Sequence, residues 1–172
     1  LTDAGADAIK VGVGGSCCSA SRRMAGIGVP QLTAMLKVVE ICSMMDIPVI
    51  AGNGISSPAV LSKAIAAGAE AAVVDRLFAG TDEAPGEIVC QNEGSFKVIN
   101  PGAKAQHRPQ VSPSEADPYS FDEDPVDTSV PYRGGVAHMV QHLVDGLKSA
   151  MAYTGSKDIR AMIDNAEFVR TK

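Results

Sequence analysis

The most restrictive feature of the chain is a rhythm in which short apolar runs, too brief to be helices, alternate with segments of helical apolar spacing. Residues 8–13 (Ala-Ile-Lys-Val-Gly-Val), 48–51 (Pro-Val-Ile-Ala) and 71–74 (Ala-Ala-Val-Val) read as strands with apolar residues on both faces. Between the first two, Pro30 and Gln31 open a helix whose apolar residues are Leu32, Met35, Leu36, Val39 and Cys42. Between the second and third, Ser57 followed by Pro58 is a helix start, Val60, Leu61, Ala64 and Ile65 form the packing stripe, and Gly68 ends it. Such alternation predicts βαβ units and a parallel sheet covered on both faces. The first two strands run into Gly12-Val13-Gly14-Gly15-Ser16 and Gly52-Asn53-Gly54, and in these folds the carboxyl ends of the strands carry the site. Residues 1–7 read as the end of a helix capped by Gly5, so the expectation is a chain that starts in mid-fold, as a fragment or with earlier residues upstream.

The rhythm changes in the second half. Residues 87–90 and 95–99 around Asn92-Glu93-Gly94 read as a hairpin. Residues 100–130 hold Pro101, Pro109, Pro113, Pro118, Pro125 and the acidic run Phe121-Asp122-Glu123-Asp124, which suits a long mobile loop or flap and equally a plain disordered insertion. Val136, Met139, Val140, Leu143 and Leu147 then share one helical face, followed by a shorter helix from Ser156 and a strand-like stretch at 167–170.

At 172 residues with 45% hydrophobic and 20% charged side chains, the chain can bury one core. A net charge of −5 excludes a broad basic footprint for nucleic acid. No apolar run reaches the roughly 18 residues of a membrane span, and the first residues lack the basic-then-apolar pattern of a secretory signal. Cys17, Cys18, Cys42 and Cys90 form neither a disulfide framework nor a zinc-type cluster, so reduced thiols in a cytoplasmic compartment are expected.

Four segments carry a family resemblance. They are Asp3-Ala4-Gly5-Ala6-Asp7 leading to Lys10-Val11-Gly12-Val13-Gly14; residues 25–32 (Ala-Gly-Ile-Gly-Val-Pro-Gln-Leu); residues 66–71 with 77–87 (Leu-Phe-Ala-Gly-Thr-Asp-Glu-Ala-Pro-Gly-Glu); and residues 130–134 (Val-Pro-Tyr-Arg-Gly) with the helix after them. Together they resemble the C-terminal part of the catalytic domain of the IMP dehydrogenase and GMP reductase family, closer to the IMP dehydrogenases. The resemblance implies an α/β fold: the C-terminal portion of a TIM (β/α)₈ barrel, its last three strands, with a hairpin and a flap-like insertion over 100–130. Residues 1–172 would then be a partial catalytic barrel domain, because a whole barrel takes about 250 residues. A lone three-strand piece leaves open edges and apolar faces, an aggregation liability.

The same resemblance implies chemistry at named positions. The family loop reads Gly-Ser-x-Cys, matched by Gly15-Ser16-Cys17-Cys18, which makes Cys18 the nucleophile toward the purine and Ser16 a phosphate ligand. Counting back without gaps from Gly26 instead puts Ser19 at that position, and a hydroxyl ionises far less readily than a thiol. Carbonyls of Gly14, Gly15 and Cys18 would hold a potassium ion; a tight turn with no ligand is the alternative for the glycines. Where the family has Asp-Gly-Gly, with the Asp on the ribose, this chain has Gly52-Asn53-Gly54, so Asn53 replaces the carboxylate and Gly54 remains for the phosphate. Where the family has a phosphate-binding Gly-Ser, this chain has Asp75-Arg76; Arg76 could bind phosphate bidentately, or Asp75 could pair with a neighbouring base. The family flap supplies an Arg-Tyr pair, but between 100 and 130 this chain has only Arg108, remote from Tyr119, so no general base is assigned. His138 and His142 are one turn apart, a metal-compatible spacing that also suits an exposed helix face.

Three functions follow from the resemblance. The first is a purine-nucleotide oxidoreductase taking IMP to XMP with NAD and potassium; the others are a GMP reductase and a catalytically degenerate relative serving as a structural or assembly subunit. The expected partners are a purine nucleoside monophosphate and either other copies of the chain in a tetramer or an assembly with other chains, with no nucleic acid and no membrane span.

Overall fold

A computed structural model describes residues 1–12, 27–52, 54–91, 94–98 and 129–169. The chain opens with a 3₁₀ turn, Thr2–Ala4, closed by Gly5 in the left-handed conformation, as the helix-end reading of these residues anticipates. β1 (Ile9–Val11), β2 (Val49–Ala51) and β3 (Ala71–Ala72) form a parallel sheet in that order. Ile9, Lys10 and Val11 pair with Val49, Ile50 and Ala51, and Ile50 and Ala51 pair with Ala71 and Ala72. Only two residues of the expected third strand pair, and Val73 continues it by donating to the Ala51 carbonyl at 2.8 Å.

The helices between the strands start where the residue chemistry says they should. α1 (Gln31–Cys42) follows Pro30, and α2 (Pro58–Ala66) has Ser57 as its cap, the hydroxyl accepting from the Val60 amide at 3.4 Å. Their packing is one-sided. Val11, Val49, Ala51, Met35, Cys42, Ile55, Ala64, Ala67 and Ala69 make one buried cluster, joined by half-buried Ile9, Ala72 and Val74. Lys10, Ile50, Ala71 and Val73 point to the opposite face and do not join it; Lys10 and Ala71 are exposed. Among the described residues, helices therefore cover one face of the sheet rather than the expected two, because α1 and α2 return on the same side of the strands. That is the handed packing of successive βα units in a barrel wall.

After β3 a single helical turn, α3 (Arg76–Ala79), leads to a second, antiparallel sheet. β4 (Ile88–Gln91) and β5 (Gly94–Val98) form the expected hairpin, and β6 (Ser129–Pro131) adds to β5 with Lys97 opposite Val130. The flap reading of 100–130 thus overran its end, since Ser129 and Val130 belong to a strand; residues 100–128 lie outside the described residues. α4 (Val136–Tyr153) buries Met139 and Leu143, which pack with Leu77 beneath α3. Val140, expected on that face, is exposed. α5 (Ile159–Asn165) starts at the Asp158 cap rather than at Ser156, the carboxylate accepting from the Ala161 amide at 2.8 Å. Residues 166–169 form no strand: Phe168 and Val169 are exposed, and no strand among the described residues pairs with them. No described helix is long and apolar enough to cross a membrane.

Candidate functional site

The carboxyl ends of β1 and β2 approach so closely that side chains are excluded there. A Cβ on Gly12 would lie 2.9 Å from the Gly52 carbonyl, and a Cβ on Gly52 would lie 2.8 Å from the Val11 carbonyl. Gly12 also has φ +120, which an L side chain rarely adopts. The Gly52 amide donates to the Val11 carbonyl at 2.7 Å, and the Gln31 carboxamide, reaching back from the first turn of α1, donates to the Gly52 carbonyl and to the Val11 carbonyl. One side chain therefore fastens two strand ends to each other and to a helix. Just beyond, Gly54 is exposed at φ +92 with open space where a Cβ would be, so its main chain is accessible to a ligand.

The third strand end is braced from the other sheet. Phe78 and Ala79 amides bond back to the Asp75 carbonyl at 3.1 and 3.0 Å, fixing the turn that contains Arg76. Thr81, 1% exposed, donates its hydroxyl to the Phe78 carbonyl at 2.8 Å. Lys97, 3% exposed, directs its ammonium to the carbonyls of Thr81 and Asp82, the latter at 3.1 Å. Asp82 accepts from the Tyr132 hydroxyl at 2.7 Å, and Glu83 accepts from the Val136 amide at 2.8 Å, at the start of α4. The Asp82 and Arg133 amides bond to the Gly134 and Gly80 carbonyls, and a Cβ on Gly80 would collide with the Pro131 carbonyl. The Thr-Asp-Glu turn is thereby tied to β5, β6 and α4 together.

Of the residues singled out from sequence, Gly54 stands at the β2 end as expected and the main chain of Arg76 stands at the β3 end. Gly14, Gly15, Ser16, Cys18, Ser19 and Asn53 lie outside the described residues, as do Arg108 and Tyr119. His138 and His142 are both exposed on α4, and no group of three or more metal-type side chains occurs among the described residues. Cys42 is buried and Cys90 exposed, both as free thiols. Sequence reasoning passed over Gln31 and Lys97 as individual residues. The signal for Lys97 was a lysine at the inward phase of a strand, where burial leaves the ammonium dependent on local acceptors. Gln31 carried no such mark beyond being polar at the first helical position.

A groove of about 1310 Å³ lies elsewhere, on the outer helical side, lined among others by Leu36, Pro58, His142, Ala150 and Met162. It does not reach Gly12, Gly52 or Gly54. The strand ends are the better candidate because parallel α/β folds place accessible main-chain groups there.

Comparison with known proteins assigns the chain to a family. The family model described as "IMP dehydrogenase / GMP reductase domain" matches residues 1–172. Inosine-5'-monophosphate dehydrogenase from Rhizobium tropici is 41% identical over 99% of this chain, and that from Aquifex aeolicus is also 41% identical over 99%. The crystal structure of GMP reductase C318A from Trypanosoma brucei in complex with guanosine 5'-monophosphate superposes over 100% of this chain with a TM-score of 0.79 at 37% identity. The chain spans 35% of the length of the first, 36% of the second and 35% of the third. Its three parallel strands are accordingly a portion of a TIM barrel, and the chain belongs to the IMP dehydrogenase / GMP reductase family.

Proposed function

We propose that this chain forms part of the nucleotide site of an NAD-dependent IMP dehydrogenase-like oxidoreductase that converts IMP to XMP in guanine nucleotide synthesis. The observation that carries this reading is the junction at Gly12, Gly52 and Gly54, where Gln31 holds the β1 and β2 ends together and leaves accessible main chain beside them. In this proposal Gly54, Ser16 and Arg76 bind the phosphate, and Asn53 meets the ribose hydroxyls. The thiolate of Cys18 attacks C2 of the purine to form a covalent adduct. Oxidation of that adduct gives a thioimidate, and water then cleaves the carbon–sulfur bond, releasing XMP and the free thiol. NAD, when bound, supplies the hydride acceptor. Carbonyls of Gly14, Gly15 and Cys18 are the hard, uncharged donors that suit a potassium ion. We place the activity in the cytoplasm and in a homotetramer.

The test uses the intact protein. Titration with IMP is followed by calorimetry; NAD and potassium are then added and NADH absorbance recorded, for the parent and for Cys18→Ala. IMP binding with NADH formation in the parent and none in Cys18→Ala is the expected result. Unchanged turnover in Cys18→Ala, or no IMP binding at all, overturns the reading. A parallel arm with GMP and NADPH is motivated by the GMP-bound structural relative: ammonia release there would assign the chain to GMP reductase instead. Silence toward both nucleotides would leave a structural or assembly role.

A further inference from the structure

Lys97 is an anomaly that the site chemistry does not use. It is 3% exposed on the inward phase of β5, where an apolar residue would cost far less to bury than an ammonium. Its donors go to the main-chain carbonyls of Thr81 and Asp82. From there hydrogen bonds run without a gap to the β3 end: Thr81 amide and hydroxyl to the Phe78 carbonyl, and the Phe78 amide to the Asp75 carbonyl. Charge-assisted bonds to two successive carbonyls fix both the position and the direction of a turn, which no apolar side chain at 97 could do.

We propose that Lys97 is a positioning residue for phosphate recognition, holding the Thr81–Asp82 turn so that the Asp75–Arg76 strand end stays at the height a nucleoside monophosphate requires. This inference rests on the nucleotide reading above. Through Lys97 the antiparallel sheet acts as a strut behind the third strand end. The Tyr132–Asp82 bond is a second, side-chain fastening of the same turn, and it does not lie on the route from Lys97 to Asp75.

The experiment compares the intact parent, Lys97→Met, Lys97→Arg and Tyr132→Phe. Affinity for IMP is measured by calorimetry and affinity for inosine by NMR titration at millimolar concentration. Lys97→Met keeps the stem and removes the donors, and it is expected to weaken IMP about tenfold while leaving inosine unchanged. Lys97→Arg restores most of the IMP affinity, and Tyr132→Phe, which removes the second fastening of the same turn, weakens IMP less than Lys97→Met and leaves inosine unchanged. Equal loss on IMP and inosine means general loosening of the fold and overturns the proposal, as does parental affinity in Lys97→Met. Should Lys97→Met fail to fold, the same IMP-selective criterion is applied to Lys97→Gln. A parent that binds neither ligand refutes the nucleotide reading itself. In that case amide exchange in Lys97→Met decides the strut separately: lost protection at Asp82 and Phe78 retains it, and unchanged protection overturns it.

Discussion

The Tyr132 hydroxyl donates to Asp82 at 2.7 Å, and a phenolate formed there would face the carboxylates of Asp82 and Glu83. Its pKa is raised above the usual 10.0, first by the hydrogen bond to Asp82, then by desolvation, then by the charges of Asp82 and Glu83. The folded state therefore holds the phenolic proton more tightly than the unfolded chain. The contribution to stability is complete below about pH 10 and is lost as pH rises through the higher folded-state value. Tyr132→Phe lacks this dependence. Unfolding in urea between pH 8 and 12 should show the gap between parent and variant constant at first and shrinking above about pH 10. A gap that widens over that range would contradict the bond's direction. At this scale the sequence was legible only for residues with a family role or a special backbone: Gly5 and Gly54 stood out, whereas Gln31 and Lys97 act on main-chain carbonyls, which the letters of a sequence do not display.

Among the elements, α2 and α4 make the most extensive helix contact, and Gly146 is the reason they approach so closely. In an isolated helix, replacing a glycine by alanine stabilises by about 1 kcal/mol. Here the new Cβ would land inside van der Waals contact of the Pro58 ring, in the rigid first turn of α2. Overpacking of that kind costs about 1–3 kcal/mol, so Gly146→Ala is expected to lower the unfolding free energy by up to about 2 kcal/mol. Urea denaturation reads the sign, and a more stable variant would mean that the helices can separate freely. Element starts were readable because caps are local chemistry: Ser57 before Pro58 and Pro30 before Gln31 announce helices whatever surrounds them. Strands were readable only with their partners. The two apolar residues Phe168 and Val169 imitate a strand yet pair with none among the described residues, while Ser129–Pro131 are too short and polar to signal one yet pair with β5.

For the molecule as a whole, the parallel sheet keeps one face under helices and presents Lys10, Ile50, Ala71 and Val73 on the other. The outer edges of β1 and β3 carry no further strand among the described residues. Such edges template association. The 172-residue chain produced by itself should therefore self-associate, with a sedimentation coefficient that rises with concentration; a monomer at all concentrations would show that the open face is covered within the chain. The strand–helix rhythm disclosed the parallel sheet but not its one-sided cover, because which side a helix returns on depends on handedness and curvature rather than on apolar spacing.

The antiparallel sheet has a consequence for how this architecture can change over time. Val98 and Ser129 are paired neighbours, so everything between them leaves and re-enters at a single rung. For a coil-like excursion closed at fixed ends, doubling the length costs only about 0.6 kcal/mol in closure entropy. The rung thus fixes both ends of whatever chain joins Val98 to Ser129, so a change in the length of that connection leaves the pairing of Lys97 with Val130 and of Phe96 with Pro131 in register.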